Sequence, residues 1–263
     1  MPTVRDIATA IEAKAPLSLQ ESYDNSGLQA GTYDTPVDTV LVCLTVTEDI
    51  VEEARRRGCD MIVSHHPLLF CGLKRISDAT ATERIVTAAI RAGIAIYSSH
   101  TCLDAAAEGI NTDIAHALGM TDIRPLVPTA PGADTGLGAI GSMPAPVPTV
   151  EFLRLVKETF GVKALRYSGT TPKIVIRRVA LCGGSGSDFI RDAIAAGADA
   201  YVTGDLKYHH FDGFGPEILL ADFGHYESEY CARKILRRIL QDAFPDLAVL
   251  TADTETNPVK TLS

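Results

Sequence analysis

The stretch Met61-Ile62-Val63-Ser64-His65-His66-Pro67 marks the end of a strand and places two imidazoles there. Its apolar run predicts a short buried strand, and Pro67 discourages the strand from continuing because it has no backbone N–H. Side chains of neighbouring strand residues point to opposite faces. His65 and His66 therefore chelate a single ion poorly, but each can face one of two ions that lie side by side.

The second half of the chain repeats the pattern around this stretch. An ungapped alignment of the chain with itself matches Cys43 with Cys182, Gly58 with Gly197 and Val63 with Val202. Each copy has the pattern of a strand, a turn, a helix and a second strand. Alternating strands and helices predict an α/β fold with sheets that are covered on both faces. We predict two pseudo-symmetric α/β domains separated by a cleft.

Two further strand ends carry a histidine followed four residues later by a carboxylate: His100 with Asp104, and His225 with Glu229. In a helix, this spacing stacks both groups on one side. Together with the two adjacent histidines, these pairs predict a metal site in the cleft between the domains. Nitrogen and oxygen donors without a nearby thiolate suit zinc, iron, manganese, cobalt or nickel. Two such ions leave an excess of positive charge, which would favour an anionic substrate.

The histidines do not all receive the same prediction. For His100 we favour proton transfer over metal ligation, because histidine titrates near neutrality. His116, near a predicted helix end before Gly119, is expected to be structural. In the second copy, Asp205 takes the position of His66. Two roles are open for it: a contact beside the metal site, or a structural aspartate at a plain turn.

Proline content predicts where the domains divide. Six of the fourteen prolines lie between residues 121 and 150. This proline-rich stretch is typical of a linker. We predict an N-terminal domain over residues 1–125 and a C-terminal domain over residues 126–263.

Composition limits the classes of function. The 263 residues are 46% hydrophobic and 22% charged, as in ordinary globular proteins. A net charge of -9 argues against a nucleic-acid partner, which requires basic patches. No apolar stretch reaches membrane-spanning length, and the six cysteines show no paired spacing. We expect a cytoplasmic protein that binds neither membranes nor nucleic acids.

Several short motifs spread over nearly the whole chain form a specific set. They are Asp24-Asn25-Ser26-Gly27-Leu28, Ser64-His65-His66-Pro67, His100-Thr101-Cys102-Leu103-Asp104, Gly183-Gly184-Ser185-Gly186, Thr203-Gly204-Asp205, and Asp222 to Glu229. The set resembles the GTP cyclohydrolase I type 2 homologues, also called NGG-interacting-factor-like dinuclear metal proteins. The resemblance implies two divalent metal ions per protomer, which are held by His65, His66, Asp104, His225 and Glu229, with Asp104 bridging the ions. It also implies a toroidal homohexamer with the metal sites facing its interior.

Three features depart from the usual pattern of this family. Cys102 stands where asparagine is usual, so any hydrogen bond that the amide makes is lost or replaced. Tyr23 stands where tryptophan is common. Many relatives carry an inserted domain between the halves, whereas this chain has only the proline-rich stretch. We therefore expect more open access to the cleft.

The resemblance implies GTP ring opening. We predict a metal-dependent hydrolase that acts on a nucleotide or another phosphorylated small molecule, with His100 as proton shuttle. The alternative is a non-catalytic scaffold that binds or delivers metal ions. An enzyme should keep an open coordination position, whereas a delivery protein should exchange its ions readily. A third hypothesis is a regulatory protein that binds a ligand at residues 183–186, although this glycine-rich stretch could equally form a plain tight turn.

Overall fold

The computed structural model describes residues 1–171 and 174–262. Its helices are α1 (Val4–Lys14), α2 (Glu48–Arg56), α3 (Ala81–Ala92), α4 (Thr101–Ala105), α5 (Ile110–Ala117), α6 (Thr149–Thr159), α7 (Ile190–Ala195), α8 (Tyr208–Phe214), α9 (His225–Glu229) and α10 (Ala232–Ala243). Its strands are β1 (Gly27–Ala30), β2 (Thr39–Cys43), β3 (Met61–Ser64), β4 (Ala95–Ser98), β5 (Thr121–Pro128), β6 (Gly136–Pro148), β7 (Arg166–Tyr167), β8 (Val175–Ser185), β9 (Ala200–Gly204), β10 (Leu219–Asp222) and β11 (Ala248–Thr251). The protein is therefore of the predicted α/β class. Within the described ranges, no helix has the length and apolar character needed to cross a lipid bilayer.

The chain forms two compact units, and the first comprises residues 1–103 and 232–257. It is built on a five-stranded sheet in the order β1-β4-β3-β2-β11. All neighbouring strands are parallel except β1, which is antiparallel to β4. Every residue of β3 and β4 is buried, irrespective of the face to which it points. Such continuous burial is typical of a parallel sheet that helices cover on both faces.

Helix α2 shows how the local sequence sets the packing in this unit. The hydroxyl of Thr47 caps its first turn by accepting a hydrogen bond from the Ile50 amide at 3.3 Å. Ile50 and Ala54 lie four residues apart on one face, and both belong to a buried apolar cluster with Leu41 and Ile62. Burial of each large aliphatic side chain stabilises the unit by about 2 kcal/mol.

The second unit comprises residues 104–231 together with the last residues from 258. Its six-stranded sheet has the order β5-β6-β8-β9-β10-β7. The strands β8, β9 and β10 are parallel, whereas β5, β6 and β7 are antiparallel to their neighbours. Helix α5 packs against β5, β6 and β8, and it buries Ile110 and Ile114 completely.

The proline-rich stretch is a β-hairpin and not the predicted linker. Strands β5 and β6 occupy most of residues 121–150, at the edge of the second sheet. The edge strand β5 tolerates proline because the backbone on one side of it has no strand to pair with. In β6, Pro144 and Pro146 lie where the pairing with β8 is irregular, between Ser142 and Val147. A stretch with prolines at a sheet edge and at an irregular strand pairing therefore has the sequence pattern of a linker.

The strand order contains the predicted repeat. Each unit has three parallel strands in chain order, with an antiparallel strand beside the third: β2-β3-β4 with β1, and β8-β9-β10 with β7. Val42 pairs with Val63 in the first sheet, and Leu181 pairs with Val202 in the second. These are corresponding positions in the ungapped alignment of the two halves, so the repeat extends to the register of the strands.

The two units differ from the predicted domains over residues 1–125 and 126–263. The first unit ends at Leu103, inside α4, and it also contains α10 and β11. Strand β11 belongs there because it pairs in parallel with β2, in the register Val249 to Val40. The two strands come from opposite ends of the chain, so no local sequence pattern reports their pairing.

Candidate metal centre

His65 and His66 directly follow β3 in the first unit. His65 is fully buried, and its Nδ1 lies 2.9 Å from the carbonyl oxygen of Ser99. Nδ1 of His66 lies 2.8 Å from the hydroxyl oxygen of Thr45. Because a carbonyl can only accept a hydrogen bond, Nδ1 of His65 carries the proton and Nε2 carries the lone pair that a metal ion requires.

His100 lies close to these two histidines. It stands between β4 and α4, and one ring nitrogen from each of His65, His66 and His100 lies within 4.8 Å of the other two. The centroid of the His100 ring is 5.1 Å from that of His65 and 5.6 Å from that of His66. Imidazole nitrogens in this arrangement can bind a divalent transition metal. The placement of His100 is compatible with both proton transfer and ligation.

Asp24 fixes the orientation of His100. Its side chain is fully buried, and Oδ1 lies 2.8 Å from Nδ1 of His100. Oδ2 accepts hydrogen bonds from the amide and the hydroxyl of Thr101, at 3.0 and 2.5 Å. Burial raises the pKa of this carboxyl group, but the hydrogen bonds from His100 and Thr101 outweigh burial, so its pKa lies well below the ordinary value. Asp24 is therefore an anion that holds the proton of His100 on Nδ1.

His225 and Glu229 lie four residues apart in α9 of the second unit. Nε2 of His225 is 2.9 Å from a carboxylate oxygen of Glu229, and Nδ1 is 2.8 Å from Asp205. Burial lowers the pKa of His225, yet the hydrogen bonds and charges of Glu229 and then Asp205 outweigh burial and raise this pKa to about 9. The proton on Nε2 is thus held firmly against the Glu229 carboxylate. A divalent cation suits the same surroundings, because it displaces that proton when it binds.

Asp205 contacts the site and is more than a turn residue. Its φ of 57° lies in the left-handed region, which few residues other than glycine adopt. This conformation costs about 1 kcal/mol. In this conformation the Asp205 carboxylate contacts His225. Backbone strain persists where surrounding contacts fix it, and this contact explains the strain at Asp205.

Asp104 and Glu229 lie in the same part of the second unit. Nδ2 of Asn111 donates to the carbonyl oxygen of Asp104 at 3.0 Å, and Oδ1 of Asn111 accepts from the Gly183 amide at 2.9 Å. Burial raises the pKa of Cys182, and the negative charges of Asp104 and Glu229 raise it further. Asn111 therefore links the end of α4 to the end of β8, beside these carboxylates.

The glycine-rich stretch makes room for Glu229. It is the end of β8, where Gly184 has a φ of +64°. A Cβ at this position would collide with the Glu229 carboxylate and would lie 3.5 Å from Nε2 of His225. The Gly184 amide donates to the hydroxyl of Ser228 at 2.8 Å. These contacts show that the glycines permit close packing of β8 against α9.

Two other residues that the sequence singled out lie outside the donor groups. His116 is exposed near the end of α5. Cys102 is buried, and its Sγ lies 3.3 Å from the hydroxyl oxygen of Ser99. The carbonyl of Ser99 is the group that orients His65. The Cys102 thiol thus contacts a residue that supports the site.

Sequence reasoning missed several supporting contacts. Thr45 and Asn111 carried no signal, because each meets its partner only through the fold. Asp24 did carry one, since it begins the Asp24-to-Leu28 motif, but an aspartate before Asn-Ser-Gly is also typical of a turn.

The chain is similar to a family of known proteins along nearly its whole length. The model of the Duf34/NIF3 (NGG1p interacting factor 3) family matches residues 2–258. A Clostridium perfringens protein named GTP cyclohydrolase 1 type 2 homolog is 34% identical over 230 residues, which cover 86% of this chain and 87% of the relative. A Streptococcus pneumoniae protein of the same name is 34% identical over 260 residues, which cover 96% of this chain and 97% of the relative.

Solved structures show the same likeness. A Staphylococcus aureus protein superimposes with a TM-score of 0.90 at 26% identity, over 100% of both chains. A Bacillus cereus protein described as related to NIF3 gives a TM-score of 0.87 at 25% identity, over 99% of both chains. By its sequence and its fold, the chain belongs to the Duf34/NIF3 family.

Proposed function

We propose that this protein binds two divalent metal ions through His65 and His66 of the first unit and Asp104, His225 and Glu229 of the second. One observation carries the proposal. Each of these histidines is held through Nδ1 by a group of its own unit, which makes Nε2 the metal-binding nitrogen. Metal-binding histidines almost always have such a partner.

The proposed donors suit a hydrolytic site. Imidazole nitrogens and carboxylate oxygens bind zinc, iron, manganese, cobalt or nickel. A pair of divalent cations lowers the pKa of bound water and stabilises charge that develops on a phosphoryl or carbonyl oxygen. We infer a metal-dependent hydrolase whose substrate is an anionic small molecule, either a nucleotide or another phosphorylated compound. GTP is the first substrate to test, because curated relatives carry the name GTP cyclohydrolase 1 type 2 homolog.

Proton transfer is the role that we assign to His100. The Asp24 carboxylate holds a proton on Nδ1, which makes Nε2 the nitrogen that takes up and returns a proton during the reaction. The same contact fixes the orientation of the imidazole ring.

Metal analysis tests the ligand set. Wild-type protein should contain two ions per protomer, and His65→Ala and Glu229→Ala should each lower that content. The control is His116→Ala, which removes an exposed imidazole outside the donor groups. With manganese loaded, the EPR spectrum should show magnetic coupling between the two ions, and either ligand variant should abolish the coupling. Full metal content in both ligand variants would reject the ligand set.

A substrate screen tests the hydrolase. We expect the metal-loaded protein to turn over GTP or a member of a phosphoester panel, and His100→Ala to keep its metal while kcat falls roughly 100-fold or more. Loss of metal in His100→Ala would assign ligation to this residue. If the fully loaded protein turned over none of these compounds and exchanged its ions rapidly, the scaffold for metal storage or delivery would be the better account.

We also propose a homohexameric ring, as the family resemblance implies, and a cytoplasmic location. All six cysteines are free thiols, which suits a reducing compartment. Light scattering during size-exclusion chromatography should give six times the protomer mass of 28.1 kDa. A monomer or a dimer at every concentration would reject the ring.

A further inference from the structure

The segment from residue 252 to residue 257, here named the C-terminal strap, contacts the turn that follows β2. One carboxylate oxygen of Glu255 accepts hydrogen bonds from the amides of Leu44 and Thr45, at 2.7 and 2.9 Å. The other oxygen lies 3.1 Å from the guanidinium of Arg233. The side chains of Arg233 and Glu255 are only 8% and 5% exposed. Glu255 is therefore held firmly against this turn.

The same turn holds His66 from its other side. The carbonyl of Leu44 accepts a hydrogen bond from the His66 amide at 2.9 Å. The hydroxyl of Thr45 lies 2.8 Å from Nδ1 of the His66 ring. Glu255 thus binds the amides of two residues whose carbonyl and hydroxyl set the backbone and the ring of His66.

A buried ion pair such as Arg233 with Glu255 contributes little stability by itself, because the cost of desolvating both charges offsets their attraction. Its contacts with the turn indicate another role. We propose that Glu255 is a positioning residue for His66, which acts through Leu44 and Thr45 to set the affinity for the metal ion that His66 binds. This inference rests on the proposed function of His66 as a ligand.

Zinc affinity provides the test, measured by competition with a chromophoric chelator. Groups that orient a metal ligand typically change affinity by 10- to 100-fold, so we expect Glu255→Gln and Thr45→Val each to weaken zinc binding roughly 10-fold. Thr45→Ser keeps the hydroxyl and should bind zinc like the wild type. The double variant Glu255→Gln/Thr45→Val should bind zinc only slightly more weakly than Thr45→Val alone, because both changes act on the same turn.

A spectrum and a matched variant separate positioning from general loosening of the strap. The visible spectrum of the Co²⁺-loaded protein should change in Glu255→Gln and in Thr45→Val, because the geometry of a ligand changes. Glu53→Gln makes the same substitution at another buried carboxylate, which binds the strap at Asp253 and Thr254 but makes no hydrogen bond to the turn. It should leave zinc affinity and the Co²⁺ spectrum unchanged.

The outcomes are distinguishable. Wild-type affinity and an unchanged spectrum in Glu255→Gln would overturn the inference, as would losses that multiply in the double variant or an equal loss in Glu53→Gln. If Glu255→Gln does not fold, as judged by urea denaturation of the metal-free protein, Glu255→Asp takes its place in the same comparison. A wild type that binds no zinc would overturn the proposed function together with this inference. If the wild type binds zinc and His66→Ala abolishes that binding, the proposed function stands, whatever the Glu255 variants show.

Discussion

At Gly184 the backbone lies against the Glu229 carboxylate, in a left-handed conformation. We predict that Gly184→Ala will weaken zinc binding roughly 10-fold or more, because the added methyl group displaces a metal ligand. The atom that must move is the end of a flexible side chain, so the fold itself should lose only the roughly 1 kcal/mol that a left-handed alanine costs. Zinc competition and urea denaturation of the metal-free protein measure the two effects separately.

Gly197 provides the matched control for this prediction. Its φ is +74°, and a Cβ there would meet nothing within 4 Å. Gly197→Ala should therefore cost the same stability and leave zinc affinity unchanged. Equal zinc affinity in the two alanine variants would show that Gly184 does not make room for a ligand.

The buried carboxylate of Asp24 leads to a second prediction at the residue scale. In Asp24→Asn, an amide group with donor hydrogens faces donors at His100 and Thr101, and the negative charge is lost. We expect the metal-free protein to lose about 3 kcal/mol in its free energy of unfolding. The comparison is Asp34→Asn, at a side chain that is 90% exposed in its ion pair with Arg5, which should be nearly neutral. Similar small losses in both variants would contradict the assigned role of Asp24.

The sequence made some of these residues predictable and concealed others. His65, His225 and Glu229 stand beside apolar strands at metal-binding spacings, which a local pattern reports. Their supporting groups are less visible. Thr45 reaches the His66 ring only after distant strands have been brought together, and the repeat pointed to Asp205 without deciding between a contact beside the metal site and a plain turn. The glycine-rich stretch was ambiguous for the same reason, since its conformational freedom was visible and the carboxylate that requires it was not.

At the scale of the elements, the repeat was predictable because parallel strands repeat a compact pattern of apolar residues. The proline-rich stretch was not predictable, because β5 tolerates proline through its position at the sheet edge and β6 through its irregular pairing with β8. Neither property is local to the sequence. The same limit applies to the C-terminal strap, whose contacts with α2 and β2 join opposite ends of the chain.

Helix α2 is fastened to the strap by Glu53, which leads to a prediction about acid stability. Burial raises the pKa of Glu53, but hydrogen bonds from Thr254, Asp253 and Arg57 outweigh burial and lower this pKa to about 2. The carboxylate therefore stabilises the folded state fully above pH 4.5, and this contribution is lost as the pH falls towards 2. It amounts to roughly 3 kcal/mol. Urea denaturation at pH 7 and pH 3 should show that Glu53→Gln removes this much stability at pH 7 and less than half as much at pH 3.

The neighbouring residue supplies the comparison for this pH dependence. Glu52 pairs with Arg55 and has a side chain that is 59% exposed. Glu52→Gln should change stability by less than about 0.5 kcal/mol at either pH. If the difference between wild type and Glu53→Gln were the same at pH 7 and pH 3, Glu53 would not be the acid-sensitive link between α2 and the strap.

At the scale of the whole molecule, the course of the chain determines which fragments can fold. The first unit is completed only when α10 and β11 return to it, and β11 then pairs with β2. The second unit is contained almost entirely in one continuous stretch, residues 104–231. A division at a proline-rich stretch would cut through β5 and separate α5 from the sheet on which it packs.

We therefore predict that a fragment of residues 104–231 will unfold cooperatively in urea, and that a fragment of residues 126–263 will not. The second fragment lacks Ile110 and Ile114, and the loss of each buried isoleucine costs about 2 kcal/mol. It also carries β11 without its partner strand. Far-UV circular dichroism and the dispersion of amide NMR signals measure the folding of both. Residues 1–103 joined to 232–257 by a short flexible linker should fold, whereas residues 1–125 should not. Cooperative unfolding of residues 126–263, with none for 104–231, would contradict this account of the two units.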